Sequence, residues 1–171
     1  TINILIMKNS NLIGLQEGDC KKIAEKLNVL LANYSIFYQN TRGAHWNIKG
    51  SDFFTLHLKF EELYDGLVLK IDEIAERILT LGYTPHHNFS DYQKLSTIQE
   101  SKEVSDGNKC ILNILESFKT VIELQRELLE ITDQAGDEGT NAQMSGYITE
   151  QEKLVWMYHA YLSKSLLFKS L

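Results

Sequence analysis

The chain has 171 residues, 43% of them apolar and 23% charged, with a single proline and a formal net charge of −6. That is enough chain for one globular domain with a real core; the acidic balance argues against simple phosphate-neutralising binding to duplex nucleic acid, and no window approaches the ~20 apolar residues of a membrane span. Cys20 and Cys110 form neither a disulfide framework nor a zinc pattern, and fit a reducing cytosol as small buried apolar groups.

Residues 1–15 read as an N-terminal tail and 16–171 as one helical domain. In the opening TINILIMK, Lys8 follows the apolar run instead of preceding it and no small-residue cleavage site is evident, so a signal peptide is not expected; Met7 is a candidate native start. From Asp19 to Ile48, apolar residues at Ile23, Leu27, Leu30, Leu31, Tyr34 and Phe37 fall on one helical face. Gly50 punctuates, Ser51 or Asp52 can cap, and a second helix runs to Leu81 before Gly82 closes it. The connection from Gly82 to Thr97 holds Pro85, with Ser90 or Asp91 capping a short turn over Tyr92 to Leu95. A third helix spans Ser101 to Gln134, carrying Ile111, Leu115, Phe118, Ile122 and Leu129, and stops at Gly136. The fourth starts at Asp137 or Thr140 and continues through Ile148, Val155, Tyr158 and Leu162. Each helix would be roughly 42–48 Å long at about 1.5 Å per residue. Such matched lengths predict an all-α, ferritin-like four-helix bundle whose long second-to-third connection carries a short helix and joins parallel neighbours.

The second helix has two faces. Phe53, Leu56, Phe60, Leu63, Leu67, Ile71, Ile74, Ile78 and Leu81 form a core stripe. One position on, about 100° around the axis, lie His57, Glu61, Tyr64, Val68, Asp72 and Glu76, metal-competent at both ends. His57 with Glu61, and Asp72 with Glu76, are i,i+4 pairs. His57 and Asp72 are separated by roughly 22 Å along the axis, against ligand bonds of about 2 Å, so the pairs cannot hold one ion within a chain. Two antiparallel copies about a two-fold axis would bring them together, giving two identical sites centred beside Gly66, where a glycine costs about 1 kcal/mol and suggests close helix approach. His45, at the end of the first helix, can supply a third ligand. The mixed imidazole and carboxylate set favours a redox-capable ion such as iron, with zinc still open. No glutamate is followed three residues later by histidine, which argues against a di-iron site inside each bundle.

The segments HWNIKGSDFFTLHLKFEELYDGLVLKIDEIAERILTLG and EKLVWMYHAYL resemble the Dps family, the mini-ferritins. The resemblance implies a cytoplasmic twelve-subunit cage, a homo-oligomer built from two-fold dimers. It would oxidise Fe2+, preferably with hydrogen peroxide, store ferric mineral and protect against oxidative damage. It implies two irons per intersubunit ferroxidase site, with His45, His57 and Glu61 from one chain and Asp72 and Glu76 from its partner. Trp46 would intercept oxidising equivalents and Trp156 matches a second tryptophan, although indoles more often serve core or interface packing. Glu61 stands where many members have Asp. Leu58 replaces a frequently acidic cavity position, leaving Glu62 and Asp65 as nucleation candidates, and His159 stands where arginine is usual. The family's basic DNA-coating tail is missing, so DNA binding is not expected. The alternative is a non-catalytic, nucleoid-protecting or structural cage whose carboxylates hold incidental ions; an interaction bundle without metal fits the paired ligands poorly. His86 and His87 read as a solvated loop, and Asp133, Asp137 and Glu138 as either pore lining or helix capping.

Overall fold

The computed structural model describes residues 9–167; the TINILIMK segment, with Met7, lies outside them. Among the described residues all regular structure is helical: α1 (Asn9–Leu12), α2 (Glu17–Asn47), α3 (Phe53–Thr80), α4 (Phe89–Leu95), α5 (Gly107–Ala135) and α6 (Glu138–Leu167). The four long helices are the expected bundle; α1 adds a short helix within the segment read as tail. α2 packs against α3, α4 and α5, and α5 against α6. The predicted stripes meet in the core, where Leu27, Leu31, Phe37, Phe60, Ile74 and Phe118 are fully buried or nearly so. Phe37 and Phe118 meet edge to face at 5.1 Å, the arrangement their ring quadrupoles favour. Burial raises both cysteine thiols, that of Cys110 to about 11, so both stay protonated near neutrality.

The helix ends follow local chemistry, with corrections. Gly82 and Gly136 close α3 and α5 with positive φ, 89° and 66°. A Cβ at Gly136 would meet nothing within 4 Å, so Gly136→Ala is a pure backbone substitution. It should cost about 1–2 kcal/mol, the left-handed penalty for an L-residue, read as a lower urea midpoint at unchanged slope. α5 begins at Gly107, not Ser101, because the Asp106 side chain accepts from Lys109 N at 2.8 Å and fixes the start there. α4 starts after Asn88, ahead of the expected Ser90 or Asp91 cap. Asp52 precedes α3 without a capping bond and instead accepts from Ser51 Oγ at 3.4 Å.

The long connection is held to α2 by three asparagines. Asn28 Oδ1 accepts from His86 N at 2.7 Å. The fully buried Asn33 accepts from Thr97 N and Ile98 N, both at 3.1 Å, and from the hydroxyls of Ser96 and Thr97. Asn40 accepts from Ser101 N at 2.9 Å and donates to Gln99 O at 2.8 Å. Satisfying otherwise orphaned main-chain groups this way lets an irregular segment lie against a helix. The connection thus climbs α2 from Asn28 to Asn40, and Lys49 N donates to Ser105 O at 3.1 Å at the top. Gly107 therefore arrives beside Leu56, whose Cδ1 would lie 2.5 Å from a Cβ there. The start of α5 next to the start of α3 makes these helices parallel, as the ferritin-like topology requires.

At mid-height the interior is polar but neutral. Gln125 Nε2 donates to Tyr34 Oη and to Gln151 Oε1, both at 2.9 Å, and Gln151 also donates to Tyr34 Oη. These residues are fully buried or nearly so, and no carboxylate stands among them. Polar links also join α3 to α6 and to Asp137, the residue before it. Lys70 Nζ lies 2.8 and 2.9 Å from the two Glu150 oxygens, Tyr147 donates to Glu73, and Arg77 donates to Asp137. Beyond these links the two helices enclose a groove of about 330 Å³ bordered by Leu63, Gly66, Leu67, Leu154 and Tyr158.

Candidate metal centre

His45 sits in the last turn of α2 and His57 in the second turn of α3, joined by the short Ile48–Asp52 turn. His45 Nδ1 donates to the carbonyl oxygen of His57 at 2.7 Å, and His57 Nδ1 donates to that of His45 at 2.9 Å. The tautomer follows from the partner, because a carbonyl oxygen only accepts. Each Nδ1 therefore carries a proton, and in the neutral tautomer this leaves the lone pair on Nε2, the atom through which such a ring would bind a metal. The rings stack with centroids 3.8 Å apart and 19° between planes. Phe53 also stacks on His57 at 5.0 Å, and Tyr64 and His45 meet edge to face at 5.3 Å. His45 is only 7% exposed. Both imidazoles are held by hydrogen bonds and by ring packing, as outer partners hold metal-binding histidines.

Glu61 lies one turn beyond His57, half-buried, with the Tyr64 hydroxyl 3.5 Å from its Oε1. Partial desolvation, then the Glu61 and Asp65 carboxylates, raise the Tyr64 phenol above its ordinary value. His45, His57 and Glu61 thus share one end of α3. Asp72 and Glu76 are exposed roughly four turns further along. Among the described residues, no three His, Cys, Asp or Glu side chains of one chain are grouped to hold a metal ion. What the single chain presents is two neighbouring imidazoles and, one turn beyond His57, a carboxylate, donor types that suit a first-row metal.

A ferritin-like domain model matches residues 24–167. The Dps protein of Vibrio cholerae O1, described as a member of a broad superfamily of ferritin-like diiron-carboxylate proteins, superposes with a TM-score of 0.89 at 52% identity, covering 91% of this chain and 98% of that one. A DNA protection during starvation protein from Porphyromonas gingivalis is 41% identical over 151 residues, 88% of this chain and 95% of its own. The chain belongs to the Dps family. An uncharacterised Haemophilus influenzae protein is 55% identical over 148 residues, 86% of this chain and 92% of its own.

Within this Dps-family chain, several sequence expectations need correcting. Of the core or interface packing expected for the tryptophans, the core alternative does not hold: Trp46 is 57% exposed in the single chain and Trp156 66%. The Arg42 guanidinium covers Trp46, with Cζ 4.6 Å from the ring, and also reaches Tyr38 at 5.2 Å. Gly66, expected beside the crossing of two copies, faces away from the ligand stripe. It borders the groove toward α6, roughly half a turn away, and a Cβ there meets nothing within 4 Å. The exposed face beside the ligands instead carries Phe54, Leu58, Val68, Leu69 and Leu79 among Glu61, Asp65, Asp72 and Glu76. Glu62 is exposed and paired with Lys59 at 2.6 Å. Asp137 is a buried cap, its Oδ1 accepting from Thr140 N at 3.0 Å, whereas Asp133, Glu138 and His159 are exposed. His86 and His87 are exposed as expected, but a carboxylate does approach the loop, Asp91 Oδ2 lying 3.6 Å from His86 Nδ1.

Sequence reading missed the parts that position the imidazoles. Phe53 was placed in the core stripe, yet it also flanks His57. Tyr64 was placed on the ligand stripe without a role. Its i,i+3 relation to Glu61 was the available signal.

Proposed function

We propose that the chain is a ferroxidase and iron-storage subunit whose centre is shared between two copies. His45, His57 and Glu61 come from one copy and Asp72 and Glu76 from the other, holding two ferrous ions as substrate. The single observation carrying this reading is the reciprocal histidine clamp, which fixes two imidazoles against each other through their Nδ1 atoms in a chain that groups no complete set of metal ligands among its described residues. The exposed apolar residues of α3, alternating with the carboxylates, suit the face to a second copy of itself. Membership of a diiron-carboxylate superfamily supports iron as the metal.

Hydrogen peroxide takes two electrons, one from each ferrous ion, with two protons, and leaves as two waters. Glu61, Asp72 and Glu76 offset the added positive charge of the ferric product, which then passes into the interior of a closed, twelve-subunit cytoplasmic assembly as mineral. Protection of DNA, the role in the relatives' names, would follow from removing ferrous iron and peroxide together; a chain of net charge −6 is poorly suited to coat a polyanion. In the alternative reading, a nucleoid-coating cage without turnover, the protein would shift DNA at low salt and leave peroxide unconsumed.

Complementation tests the shared site. Equal amounts of His57→Ala and Glu76→Ala chains are co-assembled and assayed for ferrous oxidation. Each variant alone lacks every complete site. Random pairing restores about a quarter of the sites, one in each mixed dimer, if the site spans a two-fold interface. Activity that stays at the level of the separate variants would place all ligands within one chain and overturn the reading.

A further inference from the structure

The groove between α3 and α6 is bordered by none of the proposed metal ligands. At about 330 Å³ it falls within the ~300–1,000 Å³ range of small-molecule pockets. Both ends are tied across: the Tyr158 hydroxyl donates to Lys59 O at 3.3 Å at one, and Lys70 holds Glu150 at the other. From Lys59 to Lys70 the slot runs roughly 16 Å along α3. Gly66 lines it in mid-helix, where glycine sacrifices helix propensity. The missing side chain leaves open space, since a Cβ there would meet nothing within 4 Å. The recess reaches the core, because Leu67, Phe118 and Gln151, each 2% exposed or less, form part of its wall.

The lining defines what fits. Its charged residues are Lys59, Glu62, Lys70 and Glu150, and each lysine is paired with a glutamate. An ionic ligand would leave a member of one pair without its counter-charge, so the complementary ligand is neutral. Phe118 and Tyr158, with ring centroids 6.3 Å apart, stand with Tyr161 at the Lys59 end, which suits a flat ring. Toward Lys70 the wall turns polar at Gln151. Its Nε2 donates to Tyr34 Oη and its Oε1 accepts from Gln125, which leaves one hydrogen and one lone pair unused. The neighbouring Gln125 Oε1 is buried with no hydrogen-bond partner among the described residues. A hydroxyl, donor and acceptor at once, matches this end. Gln151 and Tyr158 lie two turns apart on one face of α6, roughly 10 Å, the reach of a two-ring molecule.

We propose that the groove binds a neutral two-ring phenol, its outer ring among Phe118, Tyr158 and Tyr161 and its hydroxyl at Gln151. The test titrates para-phenylphenol by calorimetry into the assembled protein, as wild type, Gly66→Leu and Gln151→Leu, after solution mass has shown each to be assembled. Its charged analogues of like shape, para-phenylbenzoate and para-phenylbenzylamine, are run in parallel on the wild type. One para-phenylphenol per chain is expected in the wild type, with both analogues binding at least about tenfold more weakly. Gly66→Leu, which fills the groove, should abolish uptake. Gln151→Leu should weaken it roughly five- to tenfold, the worth of one hydrogen bond. Uptake retained in Gly66→Leu, unchanged affinity in Gln151→Leu, or equal binding of either charged analogue would overturn the proposal. So would a wild type that takes up no phenol because a second copy covers the groove. Should a variant fail to assemble, the analogue series on the wild type decides.

Discussion

His57→Ala is expected to lower ferrous oxidation by more than about 100-fold, beyond the ~10–100-fold typical of losing only an outer-sphere partner. The substitution removes one of the two Nε2 lone pairs, and it also removes the Nδ1 donor that holds the carbonyl of His45 and the ring that stacks on it. Phe53 remains against the vacancy and Tyr64 against His45, so the helix ends should stay in place. Solution mass, compared between variant and wild type at equal protomer concentration, separates a chemical defect from failed assembly. Oxidation at the wild-type rate in a variant of unchanged mass would take His57 out of the centre.

Asp137→Ala should destabilise the folded protein by about 3–5 kcal/mol, the range for breaking one side of a buried ion pair. The Asp137 side chain is 1% exposed; its Oδ1 accepts from Arg77 and from the Thr140 amide, and its Oδ2 accepts from the Thr140 hydroxyl. Truncation removes the cap of α6 and leaves the Arg77 guanidinium, itself only 20% exposed, without its counter-charge. In a chain of this size each kcal/mol lowers the melting temperature by roughly 2–4 °C, so a drop of about 10 °C is expected by calorimetry. Adding Arg77→Met should recover part of it, because an apolar pair can replace a buried ionic one. A loss below about 1 kcal/mol would class the contact with exposed salt bridges.

The bundle was legible because its helices obey a single period and its breaks fall at glycines needed for left-handed backbone. The nearness of His45 to His57 was legible for a related reason. His57 and Glu61 share a helix face, and His45 is brought to them by a turn too short to go elsewhere. What could not be read depends on groups distant in sequence. Asn28, Asn33 and Asn40 look like neutral helix residues until the connection is laid over them, which is also why the start of α5 was placed too early. Gly66 was assigned from its sequence midpoint between the ligand pairs, while its direction is set by the rotation of α3 toward α6. The tryptophans were weighed by the area an indole usually buries, yet both face outward, one beneath an arginine that composition does not reveal.

The reciprocal bonds run from each imidazole to the main-chain carbonyl of the other residue, so each ring is anchored by backbone that outlasts loss of the other side chain. A change at one position removes the stack between the rings and leaves the remaining imidazole bonded in place. The stiffness of this corner accordingly belongs to the hairpin that joins α2 to α3, its turn included, more than to either imidazole taken separately.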